Sequence, residues 1–158
     1  MLTEAQVRAR YGEPGDAKQQ TILQLPYPMR VAWDKSHTVD HIQCHWLIAQ
    51  DLKAVFQEIL DVYGLPKIQE LGIDLFGGCL NVRPMRGTEN NHPPTWSRHA
   101  WGIAIDLDPD RNGLKTSWKK AQFSKPEYTK MVDIFYKHGF MSYGKDRGFD
   151  PMHWEINK

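Results

Sequence analysis

The sequence has little that would connect it with an oxidising compartment or a membrane. Only Cys44 and Cys79 are cysteines among its 158 residues, and both have apolar neighbours. Such cysteines are typical of buried free thiols rather than of a disulfide framework, which indicates folding in a reducing cytoplasm. No apolar run approaches the roughly 18 residues of a membrane span, and the first 16 residues show no export signal. We therefore expect a protein made in the cytoplasm without a membrane partner.

An excess of one charge sign is also missing. The chain has 20 basic and 19 acidic residues, a net charge of +1, and 41% hydrophobic residues. This balance argues against a nucleic-acid-binding protein, whose surface would carry many phosphate contacts. Residues 111–147 are an exception, since nine are Lys or Arg and three are Asp or Glu. This basic segment is either an ordinary solvated surface or a surface that attracts an anionic polymer.

The length of the chain predicts one domain spanning residues 1–158, and we expect a monomer. A protein of this size buries about two thirds of the surface of its unfolded chain. It can therefore form a stable core without disulfides or a structural metal. Any metal site should then serve a function.

Apolar spacing and capping residues predict three helices. Thr3, with Gln6 three positions later, resembles a capping box and predicts a helix over residues 3–11. Apolar residues spaced by three and four predict a core helix over about residues 39–63, and a similar pattern predicts a helix over about 126–138.

Four segments favour extended structure. They are LPYPMRVAW, LFGGCLNVRP, the strictly alternating GIAIDLD and the terminal MHWEI. Together with the helices they predict an α+β fold, in which helices pack on a mainly antiparallel sheet.

The segment SRHAWGIAID contains two candidate metal ligands. A catalytic zinc site needs about three protein ligands with N or O donors and one open position, and His99 and Asp106 supply one donor of each kind. In a regular strand these two positions would face opposite sides. The chain must therefore bend between them, and Gly102 is the residue that permits the bend.

The segment DPMHWE supplies the candidate third ligand. His153 lies in a short terminal strand that could pair with the strand of Asp106. Asp150 is kept out of helical conformation by Pro151, and its carboxylate is placed to act as general base on a water molecule. Glu155 shares the strand face of His153, so it is an alternative base or a hydrogen-bonding partner of the ligand.

These segments resemble a known family of zinc peptidases. SRHAWGIAID matches the Ser-x-His-x-x-Gly-x-Ala-x-Asp signature of the D-alanyl-D-alanine carboxypeptidase and dipeptidase family, and DPMH matches its acidic-x-x-His signature. VRPMRG resembles the arginine segment of the family. The motif-bearing part of the chain is residues 76–157.

The resemblance implies both a fold and a set of roles. The fold would be the sheet-and-helix fold shared with the hedgehog signalling domain. One catalytic Zn²⁺ would be held by the three ligands His99, Asp106 and His153. Asp150 would be the catalytic base, and Arg83 would stabilise the oxyanion of the tetrahedral intermediate.

The identity of residue 150 bears on the substrate. Many family members have Glu there, whereas phage endolysins that cut between L-alanine and D-glutamate of the peptidoglycan stem peptide carry Asp. We therefore expect an endolysin-type endopeptidase that reaches the cell wall after release at lysis. The alternatives are a D-alanyl-D-alanine carboxypeptidase and a zinc-binding module without catalysis.

Substrate contacts are predicted for Ser97, Arg86, Trp101 and Trp154. Arginine suits both a substrate carboxylate and a developing oxyanion, so the roles of Arg83 and Arg86 stay unassigned. The tryptophans flank the candidate ligands, where they either line a cleft or pack in the core.

A second histidine pattern competes with this site. His37, His41 and His45 recur every four residues and would form one stripe on a helix. This pattern is interpreted as a polar helix face, with adventitious metal binding as the alternative.

Overall fold

A mostly antiparallel sheet of six strands forms the centre of the protein. The computed structural model describes all residues 1–158. The strands follow the order β2-β1-β3-β4-β6-β5 across the sheet, and only the β1–β3 pair is parallel. Their bounds are Gln20–Val31 (β1), Asp34–His45 (β2), Leu75–Gly78 (β3), Ala104–Leu107 (β4), Phe140–Ser142 (β5) and His153–Ile156 (β6).

Five α-helices accompany the sheet, which confirms the predicted α+β class. They are Glu4–Tyr11 (α1), Trp46–Tyr63 (α2), Leu65–Leu71 (α3), Thr129–Lys137 (α4) and Tyr143–Arg147 (α5). None of them combines the length and apolarity that crossing a membrane requires.

The predicted helix over residues 39–63 is wrong in its first part. Residues up to His45 form β2, which pairs with β1 along an antiparallel hairpin, and the helix begins at Trp46. Ile42 and Cys44 are buried two residues apart, which is the period of a strand, whereas Trp46 is 55% exposed. Ile42 and Trp46 are therefore four residues apart without sharing the face of one helix.

The histidine stripe disappears with that correction. His37 and His41 lie exposed on β2, whereas His45 is buried at the junction of β2 and α2. The Nδ1 atom of His45 accepts a hydrogen bond of 3.1 Å from the Leu47 amide, so this histidine caps α2. Its Nε2 atom donates to the Tyr11 carbonyl at 2.8 Å and connects α2 to α1.

The other helix signals have mixed outcomes. Thr3 and Gln6 form the predicted capping box of α1. The helix predicted over 126–138 is present as α4, preceded by a 3₁₀ turn over Pro126–Tyr128. The structure also contains α3, α5 and β5, which were not predicted. Pro66 lies in the first turn of α3, where the missing N–H costs nothing.

One hydrophobic core connects the helices to the sheet. Its centre includes α2 residues such as Leu52, Val55 and Phe56, all fully buried. Cys44 and Cys79 are buried free thiols as predicted, and burial raises the pKa of the Cys44 thiol to about 12. The two cysteines therefore behave as small apolar side chains.

Replacing His45 should destabilise the fold. We expect His45→Ala to lower the free energy of unfolding by about 2–4 kcal/mol, because it leaves the buried Tyr11 carbonyl unpaired and removes the cap of α2. The measurement is urea unfolding. His41→Ala, on the exposed part of the same strand, is the control and should change the value by less than about 0.5 kcal/mol. Equal effects of the two variants would contradict the assigned role of His45.

Candidate metal centre

Two neighbouring strands and one turn bring three candidate ligands together. Asp106 in β4 and His153 in β6 are direct partners in the antiparallel register, as predicted. His99 lies in the 3₁₀ turn Arg98–Trp101, just before β4. Gly102 makes the predicted bend with a φ of 69°. A Cβ atom there would lie 2.4 Å from Gln20 Oε1 and 3.0 Å from the His45 amide nitrogen, so the bend requires glycine for space as well.

The ligand atoms form a small triangle, which we call the His–Asp–His cluster. His99 Nε2 lies 3.1 Å from His153 Nδ1. Asp106 Oδ1 lies 3.2 Å from His99 Nε2 and 3.3 Å from His153 Nδ1. It makes no well-aligned hydrogen bond with either ring, although it is buried. The cluster is the only group of three or more His, Cys, Asp or Glu side chains in the protein that could hold a metal ion.

The second nitrogen of each imidazole is engaged outside the cluster. His99 Nδ1 donates to the Cys79 carbonyl at 2.7 Å, and His153 Nε2 donates to Glu155 Oε1 at 3.0 Å. In neutral rings the two facing nitrogens then carry lone pairs, which repel each other at this distance unless a cation or a proton lies between them. Two imidazoles and one carboxylate, with an unpaired buried oxygen, are a donor set that fits zinc.

The electrostatics of the cluster favour a negative charge on Asp106 and a positive charge on His153. Burial would raise the pKa of the Asp106 carboxyl, but the imidazoles of His153 and His99 outweigh burial and hold this pKa below its usual range. Burial would likewise lower the pKa of His153, but Asp106 and Glu155 raise it to about 10. Metal binding to such a cluster is coupled to loss of the His153 proton.

A cleft of about 530 Å³ opens onto the cluster. Cationic side chains around it include Arg86 and Lys115. Apolar side chains also line it, among them Phe149 and Met85, which are 43% and 37% exposed. The cleft can therefore hold an extended molecule that carries both negative charge and apolar groups.

Asp150 lines the same cleft in an unusual backbone conformation. Its φ is 56°, which is left-handed and agrees with the prediction that Pro151 keeps it out of the right-handed helix. Its amide donates to the Leu114 carbonyl, and its own carbonyl accepts from the His153 amide at 3.1 Å. The Oδ1 atom is buried without a hydrogen-bond partner, and burial raises the pKa of this carboxyl. Asp150 thus has an unpaired carboxylate oxygen, and its backbone is bonded to that of a cluster residue.

The arginine segment reaches the cluster through Ser97. Arg83 is half-buried in the cleft wall, and its carbonyl accepts from the Ser97 amide at 3.2 Å. The Ser97 hydroxyl accepts a hydrogen bond of 3.3 Å from the His99 amide and caps the turn that carries this residue. Arg86 lies exposed in the same wall. Substrate contacts of Ser97 and Arg86 stay predictions.

The structure corrects the predicted substrate contacts of Trp101 and Trp154. Both side chains are fully buried in the hydrophobic core, and neither lines the cleft. Trp101 Nε1 donates to the Gly12 carbonyl at 2.8 Å, and Trp154 stacks on Phe135 with ring centroids 4.3 Å apart. Both tryptophans therefore have a packing role, the alternative that the sequence left open.

Sequence reasoning missed several residues of the cleft. Tyr143 packs edge-on against His153 with ring centroids 5.4 Å apart, and Arg98, Lys115 and Phe149 also line the cleft. Most of them lie in turns or loops without a periodic pattern. Only for Arg98 could the sequence have indicated a position in the cleft, because this residue directly precedes the candidate ligand His99.

Comparison with known proteins supports the resemblance found in the motifs. Residues 91–156 match the model of a family described as D-alanyl-D-alanine carboxypeptidase. The match confirms the resemblance and indicates a peptidase. It includes the three cluster residues and Asp150, but not Arg83. No curated protein and no solved structure matched the chain.

The turn that carries Asp150 depends on close packing at Gly144. A Cβ atom on Gly144 would lie 2.6 Å from Pro151 Cα and 2.8 Å from Trp118 Cε3. We expect Gly144→Ala to lower the free energy of unfolding by about 1–3 kcal/mol through overpacking, measured by urea unfolding. Gly113→Ala is the control, because its Cβ would meet nothing closer than 3.4 Å. A Gly144→Ala protein as stable as this control would contradict the packing argument.

Proposed function

We propose that the protein is a zinc-dependent hydrolase that cuts an amide bond of the peptidoglycan stem peptide, as an endopeptidase of endolysin type. One observation carries the proposal. The triangle of ligand atoms and the unpaired carboxylate oxygen of Asp150 meet in one cleft, within residues similar to a peptidase family.

His99 Nε2, His153 Nδ1 and Asp106 would hold one zinc ion. The other nitrogen of each imidazole already donates a hydrogen bond outside the cluster, so the two rings are oriented for ligation before metal binds. A zinc ion there would act as a Lewis acid, making a water molecule more acidic and polarising the substrate carbonyl. Access from the cleft leaves room for substrate beside the three ligands.

Asp150 would move the proton in this reaction. Its unpaired Oδ1 atom can accept the proton of the attacking water. The raised pKa of the carboxyl makes it a better base than an exposed aspartate, and also lets it return the proton to the leaving amine. The hydrogen bond from the His153 amide to the Asp150 carbonyl keeps its backbone next to the cluster.

Arg83 and Arg86 would supply positive charge to the substrate. Arg83 is the less exposed of the two and is connected to the cluster through Ser97, which suits the oxyanion role. Arg86 is free to meet a carboxylate of the stem peptide. Lys115 extends this positive charge and belongs to the basic segment 111–147, which would favour an anionic wall polymer.

A D-alanyl-D-alanine carboxypeptidase is the second candidate. Arg86 and Lys115 in the cleft wall could pair with the free carboxylate that such a substrate carries. Asp at position 150 favours the endopeptidase by the resemblance to endolysins. A zinc-binding module without catalysis is disfavoured, because the buried, unpaired oxygen of Asp150 serves no contact in the fold.

Separate variants should distinguish metal binding from proton transfer. We expect Asp150→Ala to keep bound zinc but lose at least about 100-fold in hydrolysis, because only the general base is gone. His99→Ala should lose both zinc and hydrolysis. Metal content and rates on purified peptidoglycan are the measurements. Full activity of Asp150→Ala would refute the assignment of the base.

The cleavage products should identify the bond. The protein is incubated with purified peptidoglycan with and without a metal chelator, and the released fragments are weighed by mass spectrometry. We expect fragments that end in L-alanine, together with new amino termini on D-glutamate, and no products when chelator is present. Free D-alanine would favour the carboxypeptidase instead. If no product forms with zinc-loaded protein, the chain is a binding module.

A further inference from the structure

Two oppositely charged side chains lie buried in the wall of the cleft, next to the His–Asp–His cluster. Arg98 Nε and Glu155 Oε2 are 3.8 Å apart, and their side chains are only 9% and 2% exposed. Neither atom has a hydrogen-bond partner. Burying two such charges is costly, and an ion pair of this kind rarely stabilises a fold by itself. The pair therefore calls for another role.

Glu155 is directly bonded to a cluster residue. Its Oε1 atom accepts the hydrogen bond of 3.0 Å from His153 Nε2. The two residues share one face of β6, because side chains alternate along a strand. Opposite Glu155 on β4 is Ala104, whose small side chain leaves space for the carboxylate.

Arg98 is held on two sides. Its Nη2 atom donates to the Leu2 carbonyl at 2.9 Å, and its guanidinium lies 5.7 Å from the centre of a Trp101 ring. It also precedes His99 in the same 3₁₀ turn. The guanidinium thus presents a fixed positive charge to Glu155 from the backbone segment that supplies another cluster residue.

We propose that Arg98 and Glu155 are positioning residues for the metal site. Arg98 holds the Glu155 carboxylate in place, and Glu155 holds the His153 ring with Nδ1 toward Asp106. This proposal rests on the proposed metal site. Partners of this kind typically contribute 10- to 100-fold to metal affinity.

The same geometry separates Glu155 from the alternative of a catalytic base. Its Oε1 atom is taken by the His153 ring, and its Oε2 atom faces Arg98. Glu155 also lines the cleft, but a carboxylate that is only 2% exposed and engaged in this way is poorly placed to take a proton from water. Asp150 also has an unpaired oxygen, but its carboxylate is bonded to no imidazole and is in no ion pair, so it stays the better base.

Zinc affinity tests the proposal without any hydrolysis. The dissociation constant is measured by competition with a chromogenic chelator. We expect zinc binding to weaken by about 10- to 100-fold in Glu155→Gln and by about 10-fold in Arg98→Met. Arg98→Lys, which keeps the charge, should recover most of the loss. Glu58→Gln is the matched control, because Glu58 lies 3.4 Å from the Nε2 atom of His138 in a partly buried pair outside the cluster.

A second readout follows the His153 ring itself. In zinc-loaded wild-type protein, proton NMR should show a slowly exchanging Nε2–H of His153, and this exchange should accelerate in Glu155→Gln and Arg98→Met. Unfolding temperatures of the metal-free proteins show whether a variant has merely lost its fold. Arg98→Lys keeps the test decisive if Arg98→Met does not fold.

Unchanged zinc affinity and unchanged exchange in Glu155→Gln would overturn the proposal, as would an Arg98→Lys protein no better than Arg98→Met. Those results leave the proposed hydrolysis intact. Conversely, a wild-type protein that binds zinc through these residues but releases no peptidoglycan fragments refutes the hydrolysis and not the positioning roles. A wild-type protein that binds no zinc refutes both.

Discussion

The pairing of β4 with β6 is the constraint on which the candidate site depends. Its antiparallel register sets Asp106 directly opposite His153. Because side chains alternate along a strand, a slip of one residue would turn either ligand toward the core. The buried neighbours of both strands resist such a slip, since the slip would also bring polar groups into the core. The packing that fixes the register of β4 and β6 therefore also fixes the geometry of the cluster.

Regular structure holds the cluster, while the candidate base lies in a strained turn. Strands supply two of the three ligand atoms as well as Glu155, and rigid elements place such groups more accurately than loops. Asp150 instead has a left-handed backbone, which costs about 1–2 kcal/mol for a residue other than glycine. Such local strain is often found where a side chain must face a ligand. Rigid strands for the ligands and a separate turn for Asp150 suit a site in which the ligands stay fixed while the Asp150 carboxyl exchanges a proton.

The cluster was more predictable from sequence than its surroundings. The three cluster residues were selected by the motifs that resemble the peptidase family, together with a bend at Gly102. Strand alternation alone would set His99 and Asp106 on opposite faces. The same rule could have placed Trp154 in the core, since it adjoins His153 and must face the other side. The start of α2 was not predictable, because β2 runs directly into α2 and the apolar residues of the two elements together have the spacing of one long helix. Cleft residues such as Lys115 and Phe149 come from loops, where no period exists.

The amino-terminal segment lies against the back of the turn that carries His99. Leu2 accepts from Arg98, Gly12 accepts from Trp101 Nε1, and Gly15 donates to the Ala100 carbonyl at 2.8 Å. These three contacts join residues far apart in the sequence to three of the four positions of the turn Arg98–Trp101. For protein engineering, this makes residues 2–15 a poor segment to delete, since their removal would take away contacts that support the turn of a cluster residue.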